Sequence, residues 1–218
     1  HLGRILGFVV VVTLTCELLG GGLLALLLEP SVGSAVAGPG WTGRAYNGLF
    51  HSVSAFCNAG FALNATSLSA YRTSLPVQAV VMVLILVGGL GFVVVGDLLL
   101  TWRRWLSRTA GRALGVSVPR REGALGTLTQ LRGGWPQGTR VLGVQTRLVL
   151  VTSAILIVSG VVLTAALEWN GAAVSGMSLP YKLLNVVFHS VTLRTAGFNT
   201  VPLEQMEDST LFASTLFV

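Results

Sequence analysis

The segment FHSVSAFCNAGF (Phe50–Phe61) returns later in the chain as FHSVTLRTAGFNT (Phe188–Thr200). Phe50-His51-Ser52-Val53 matches Phe188-His189-Ser190-Val191, and Ala59-Gly60-Phe61 matches Ala196-Gly197-Phe198, with one residue fewer between the matching parts of the second copy. Self-similarity of this kind marks a structural unit used more than once. Around the first copy, Ala45–Tyr71 contains no Asp, Glu, Lys or Arg, yet Asn47, His51, Ser52, Ser54, Asn58, Asn64 and several Gly make it too polar to face lipid.

Outward from the two copies lie apolar runs of the length a membrane helix needs, about 20 residues. Ile5–Leu28 holds a single charge, Glu17; Leu75–Leu100 holds Asp97 near its end; Leu148–Leu167 holds none; a further run begins near Leu211. Of the 14 basic residues, nine Arg fall between Trp102 and Leu148, which marks that loop as cytoplasmic by the positive-inside rule. If Ala45–Tyr71 enters the membrane and returns, Arg4 lies on the same side as this loop. We therefore read it as a re-entrant hairpin, a half-helix followed by extended backbone, which membranes tolerate only where it is buried in protein or lines a water-filled cavity. The predicted half-helices are Ala45–Phe56 and Tyr181–Leu193. The repeated unit is helix, hairpin, helix, with residues 1–101 as one unit, 102–146 as an Arg-rich loop and 147–218 as a second unit that stops within its last helix. The fold class expected is all-α and integral to the membrane.

Composition agrees: 52% of residues are hydrophobic and 10% charged, against roughly 25% charged in soluble domains. Disorder, a secreted disulfide scaffold and a free cytosolic enzyme are poor readings of such a chain. Cys16 and Cys57 cannot build a disulfide framework, and no disulfide is predicted. Trp41, Trp102, Trp105 and Trp169 stand at hairpin and span ends, where they suit headgroup-level anchors. Spread Arg residues in one loop suit lipid headgroups better than a nucleic-acid face, so no nucleic-acid partner is expected.

The two copies resemble the second and third pore loops of the Trk/Ktr/HKT superfamily of cation transporters. GGLGF (Gly88–Phe92) with Asp97, and LEWN (Leu167–Asn170), are similar to the same family. The resemblance implies tandem helix–pore hairpin–helix units arranged as in potassium channels, four around one pathway, of which this chain supplies the second and third. Units one and four and the gate loop would lie outside it, so these residues alone should not conduct selectively. The implied function is K⁺ uptake across the cell membrane, with pore loops entering from outside. A Na⁺-permeable or Na⁺-coupled transporter is the alternative, and a non-conducting structural subunit a distant one. The implied partners are lipid, a second copy in a homodimer and a cytoplasmic ring of nucleotide-binding regulatory subunits; no cofactor is implied beyond K⁺ as cargo.

A dehydrated K⁺ needs several oxygens in place of its hydration shell, and rings of backbone carbonyls provide them. The filter carbonyls are expected on Asn58, Ala59, Gly60 and Phe61 and on Thr195, Ala196, Gly197 and Phe198, with Arg194 and Asn199 as support. Helix ends carry the equivalent of about half a charge, and both half-helices would aim their negative ends at the cation. The alternatives are plainer. The glycines serve simple turns, and Phe61 and Phe198 suit packing collars better than ligands. His51 and His189 have no HExxH or carboxylate at ligand spacing, so no side-chain metal site is expected. Glu17, inside a span, is either functional or hydrogen-bonded between helices. Arg194 should turn sideways, to loop carbonyls or to Glu204, Glu207 or Asp208, and Asp97 should pair with Arg103 and Arg104. No GxSxG, HExxH or Cys–His motif supports an enzyme.

Overall fold

The computed structural model describes residues 2–28, 40–102, 142–169 and 171–215. Among them the secondary structure is helical throughout. Helix α1 (Leu2–Leu27) is followed by α2 (Trp41–Phe56), α3 (Leu75–Leu90), α4 (Phe92–Trp102), α5 (Val144–Glu168), α6 (Leu179–Thr192) and α7 (Asp208–Ser214), with short 3-10 turns at Ser69–Tyr71, Ala172–Val174 and Leu203–Gln205. The pattern long helix, short helix, non-helical return, helix thus occurs twice.

Helices α1 and α5 are long and apolar enough to cross a membrane. They leave large apolar side chains outward, Leu6, Val10, Leu14 and Leu18 on α1 and Leu148, Val151, Ile155 and Val162 on α5. The short helices show the reverse, since α2 buries Asn47, His51, Ser52 and Ser54, and α6 buries Asn185, His189, Ser190 and Thr192. Polar groups inward and apolar groups outward suit a lipid surround, where buried polar side chains find partners only within the protein.

The expected second span, Leu75–Leu100, is not one helix. It breaks between α3 and α4 at Gly91, whose φ of +79° lies in the left-handed region that glycine enters without penalty. Hydropathy runs unchanged through the break, so it carries no trace in the apolar pattern.

By packing, the chain divides into two compact units, His1–Thr13 with Leu90–Val151 and Leu14–Gly89 with Thr152–Val218. In the first, Thr146 Oγ1 donates to Asp97 Oδ2 at 2.6 Å and Thr101 Oγ1 to the Asp97 carbonyl at 2.8 Å. Arg103 and Arg104, the expected partners of Asp97, lie outside the described residues, as does most of the Arg-rich loop 102–146.

The second unit holds both hairpins. Its core gathers Leu24 of α1 and Leu28 just after it, Ala55 and Phe56 of α2, Val77, Val81, Leu84 and Ile85 of α3, and Phe188, Val191, Ala196 and Phe198 from the second copy. At Gly48, a Cβ would stand 2.5 Å from the Ala25 nitrogen on α1, so only a glycine lets these helix backbones approach. A Gly48→Ala variant is expected to lose roughly 1–3 kcal/mol by overpacking. Gly22→Ala, where a Cβ meets nothing within 4 Å, should be neutral or gain up to about 1 kcal/mol of helix propensity. Thermal unfolding of the detergent-solubilised variants checks the pair, and equal midpoints would contradict the α1–α2 contact.

Candidate functional site

The half-helices lie close to where they were expected, α2 beginning at Trp41 instead of Ala45 and α6 running Leu179–Thr192 instead of Tyr181–Leu193. Each is followed by backbone of unusual and repeated geometry. Asn58 has φ +52° and Gly60 +71°; at the equivalent positions Thr195 has +72° and Gly197 +77°. The residues between and after them, Ala59, Phe61, Ala196 and Phe198, have negative φ. A positive φ is costly for any residue with a side chain and most so for a β-branched one such as Thr195. Such backbone persists where the surrounding structure holds it, and it clusters at functional sites.

Alternating φ in this way turns successive amides to one side of the chain and successive carbonyls to the other. The amides face back to their own half-helix. Ala59 N–H donates to the Ser54 carbonyl at 2.8 Å, and the Ala196 and Gly197 amides both donate to the Thr192 carbonyl, at 2.9 and 3.3 Å. Among the described residues, no donor takes up the carbonyls of Asn58, Ala59, Gly60, Thr195, Ala196, Gly197 or Phe198. Phe61 differs, because its carbonyl accepts the Ser54 hydroxyl at 2.8 Å.

The two turns meet. Gly197 is so placed that a Cβ on it would lie 3.4 Å from Gly60 Cα, whereas a Cβ on Gly60 would run into the Ala196 carbonyl and stand 2.9 Å from Gly197 Cα. Asn199 joins the copies as well, its carbonyl accepting the Leu68 amide at 2.9 Å and its own amide donating to Ser67 Oγ at 3.1 Å. Asn185 Nδ2 donates to the Arg72 carbonyl at 2.8 Å, which Gln78 Nε2 also reaches at 3.0 Å. Phe198 is fully buried, its ring 6.3 Å from that of His51, while Phe61 is 70% exposed.

Polar anchors tie the half-helices to the long ones. Ser52 Oγ donates to the Glu17 carbonyl on α1 at 2.8 Å, and its counterpart Ser190 Oγ to the Ile157 carbonyl on α5 at 2.7 Å. Among the described residues the Glu17 carboxylate accepts only a weak contact from Cys57 Sγ at 3.8 Å, and both cysteines are free.

The paired histidines are bonded differently. His51 Nδ1 donates to the Asn47 carbonyl at 2.8 Å, leaving Nε2 buried and without a partner. His189 uses Nε2, 3.3 Å from Ser214 Oγ, and that hydroxyl gives its own hydrogen to the Thr210 carbonyl at 2.7 Å. A carbonyl only accepts, and a hydroxyl already donating can only accept from the ring. As neutral imidazoles, His51 therefore carries its proton on Nδ1 and His189 on Nε2.

Arg194 does not reach Glu204, Glu207 or Asp208. It lines a cavity of about 180 Å³ with Ile85, Leu86, Gly89 and Thr195. Sequence reading missed three features: the Asn47/Asn185 pair, whose signal is Asn-x-x-Phe-His-Ser in both copies, the Ser54/Thr192 pair, and Glu168.

A family model described as TrkH, cation transport protein, matches residues 2–217. The chain is 29% identical over 212 residues to the Ktr system potassium uptake protein B of Vibrio alginolyticus, covering 97% of this chain and 38% of that protein. It is 29% identical over 207 residues to the potassium/sodium uptake protein NtpJ of Enterococcus hirae, covering 95% and 36%. With the protein B of the Bacillus subtilis Ktr system it shares 25% over 221 residues, covering 100% and 40%. The chain thus spans about two-fifths of the length of these relatives. A match over nearly every residue, joined to a duplicated helix, hairpin and helix, places the chain in the TrkH family of cation transport proteins, which are not enzymes.

Proposed function

We propose that this chain forms the second and third of four walls around a K⁺ uptake pathway, residues 1–101 and 147–218 each supplying one. The ion would be held by the carbonyls of Asn58, Ala59, Gly60 and Phe61 and of Thr195, Ala196, Gly197 and Phe198, with Asn199 bracing the second turn and Arg194 beside it. The observation that carries this reading is the alternation of φ at equivalent positions of both copies, with amides turned to the half-helix and seven of the eight carbonyls left without donors among the described residues. Oxygens so arranged can replace a hydration shell without carboxylates. At Phe61 the Ser54 hydroxyl occupies one lone pair of the carbonyl and the second remains for an ion.

The half-helices add their negative ends at the same place. They enter from the outer face, and loop 102–146 lies in the cytoplasm, where its Arg residues meet anionic lipid or a nucleotide-binding regulatory ring. The transporter acts as a homodimer in the cell membrane. Permeation by Na⁺ is the second reading, favoured by a relative whose name includes both ions.

The test is uptake of radiolabelled Rb⁺, with and without competing Na⁺, in K⁺-transport-deficient cells expressing the full-length transporter. Uptake that resists Na⁺ is the expected result. Uptake abolished by equimolar Na⁺ favours the second reading, and none at all from protein correctly inserted in the membrane overturns both.

A further inference from the structure

We propose that Glu168 is a positioning residue for the second Ala-Gly-Phe turn, acting through Thr210, Ser214 and His189. The inference rests on the reading of that turn as part of the ion pathway. Glu168 is the last residue of α5 and is fully buried. Its Oε2 accepts the Thr210 hydroxyl at 2.9 Å and the Glu207 amide at 3.3 Å, both at the start of α7. One helical turn further, Ser214 Oγ donates to the Thr210 carbonyl and accepts from His189 Nε2. His189 stands on α6 three residues before Thr192, whose carbonyl holds the amides of Ala196 and Gly197. Hydrogen bonds therefore lead from the end of α5 through α7 to His189, and from there the backbone of α6 carries on to Thr192 and the turn.

Burying a carboxylate is costly unless its oxygens are well bonded. Among the described residues no Lys or Arg bonds to this one, and its Oε1 has no partner at all. What the group supplies is a buried acceptor shared by the Thr210 hydroxyl and the Glu207 amide, and leaving those donors unpaired would cost their desolvation. That pairing fixes α7 against α5, and α7 in turn presents Ser214 to His189.

The experiment measures the Rb⁺ to Na⁺ uptake ratio of the full-length transporter, per amount of protein in the membrane, for Glu168→Ala, Glu168→Gln, Ser214→Ala, the Glu168→Ala/Ser214→Ala double variant and Gly197→Ser. Glu168→Ala should lower the ratio about tenfold, the size of a lost buried hydrogen bond. Glu168→Gln, which keeps an acceptor, should recover most of it. The double variant should be no worse than Glu168→Ala alone, because both changes cut one relay. An unchanged ratio in Glu168→Ala, or a double variant whose loss is the product of the single losses, overturns the proposal while Gly197→Ser still shifts the ratio. If Gly197→Ser leaves the ratio unchanged, the pathway reading fails and the proposal with it. Should Glu168→Ala fail to reach the membrane, Thr210→Val and Ser214→Ala apply the same criteria further along the relay.

Discussion

Rb⁺ uptake by a Gly60→Ala variant is expected to fall about a hundredfold, and by a Gly197→Ser variant far less, with the loss in the latter appearing mainly in discrimination against Na⁺. Both glycines have positive φ, and placing a side chain there costs about 1–3 kcal/mol. Gly60 carries a further penalty, because a Cβ on it meets the Ala196 carbonyl and Gly197 Cα, backbone atoms with nowhere to go. Overpacking of that kind adds about 1–3 kcal/mol, and the sum, about 2–6 kcal/mol, corresponds to a fall of about a hundredfold or more. At Gly197 the nearest atom to a Cβ is Gly60 Cα at 3.4 Å, an ordinary contact, so only the backbone term applies and about one power of ten is at stake. Uptake assays scaled to membrane protein measure both. Parent-like transport by Gly60→Ala would remove the Ala-Gly-Phe turns from the ion path.

The second large effect belongs to Gly88, on α3 against the last residue of α2. A Cβ there would overlap the Phe56 carbonyl oxygen and lie 2.8 Å from its carbon. Gly88→Ala is expected to destabilise by roughly 2 kcal/mol after a helix-propensity gain of up to about 1 kcal/mol is subtracted. For a chain of this size that lowers the unfolding midpoint by about 5 °C. Gly89→Ala is the control, since its Cβ would meet only Asn58 Nδ2, at 3.2 Å, and that side chain can give way. Thermal unfolding of the detergent-solubilised variants separates them. Matching midpoints would mean that α3 does not rest on the end of the half-helix, leaving the Asn58–Phe61 turn without the support described.

How much of this was legible follows from what each feature depends on. Both half-helices could be placed within a few residues because each is bounded by local signals, a polar-apolar mixture at its core and an Ala-Gly-Phe exit. The long helices were legible because lipid-facing runs depend on composition alone. Gly91 was not, since a break that preserves hydropathy on both sides looks like continuation, and the neighbouring glycines suit helix packing equally well. Glu168 looked like the polar end of a span; its burial arises only when α7 folds over it, a contact made by residues about 40 positions later. Arg194 was expected to turn to loop carbonyls or to a carboxylate of Glu204, Glu207 or Asp208, but its place at the half-helix end puts it beside Ile85, Leu86 and Gly89 of α3. The positive φ at Thr195 was hidden as well, because a β-branched residue is poorly suited to it.

The opposite tautomers of His51 and His189 have a consequence for how duplicated segments diverge. The two copies keep the same letters at this position, yet the first closes a bond within its own helix and the second reaches across to another. Sequence identity between repeats therefore coexists with a difference in which nitrogen bears the hydrogen, a divergence invisible to any comparison of residues. A protein made by copying one repeat into the place of the other would inherit the imidazole and lose its environment. The same imidazole is thus put to two different structural uses in the two copies.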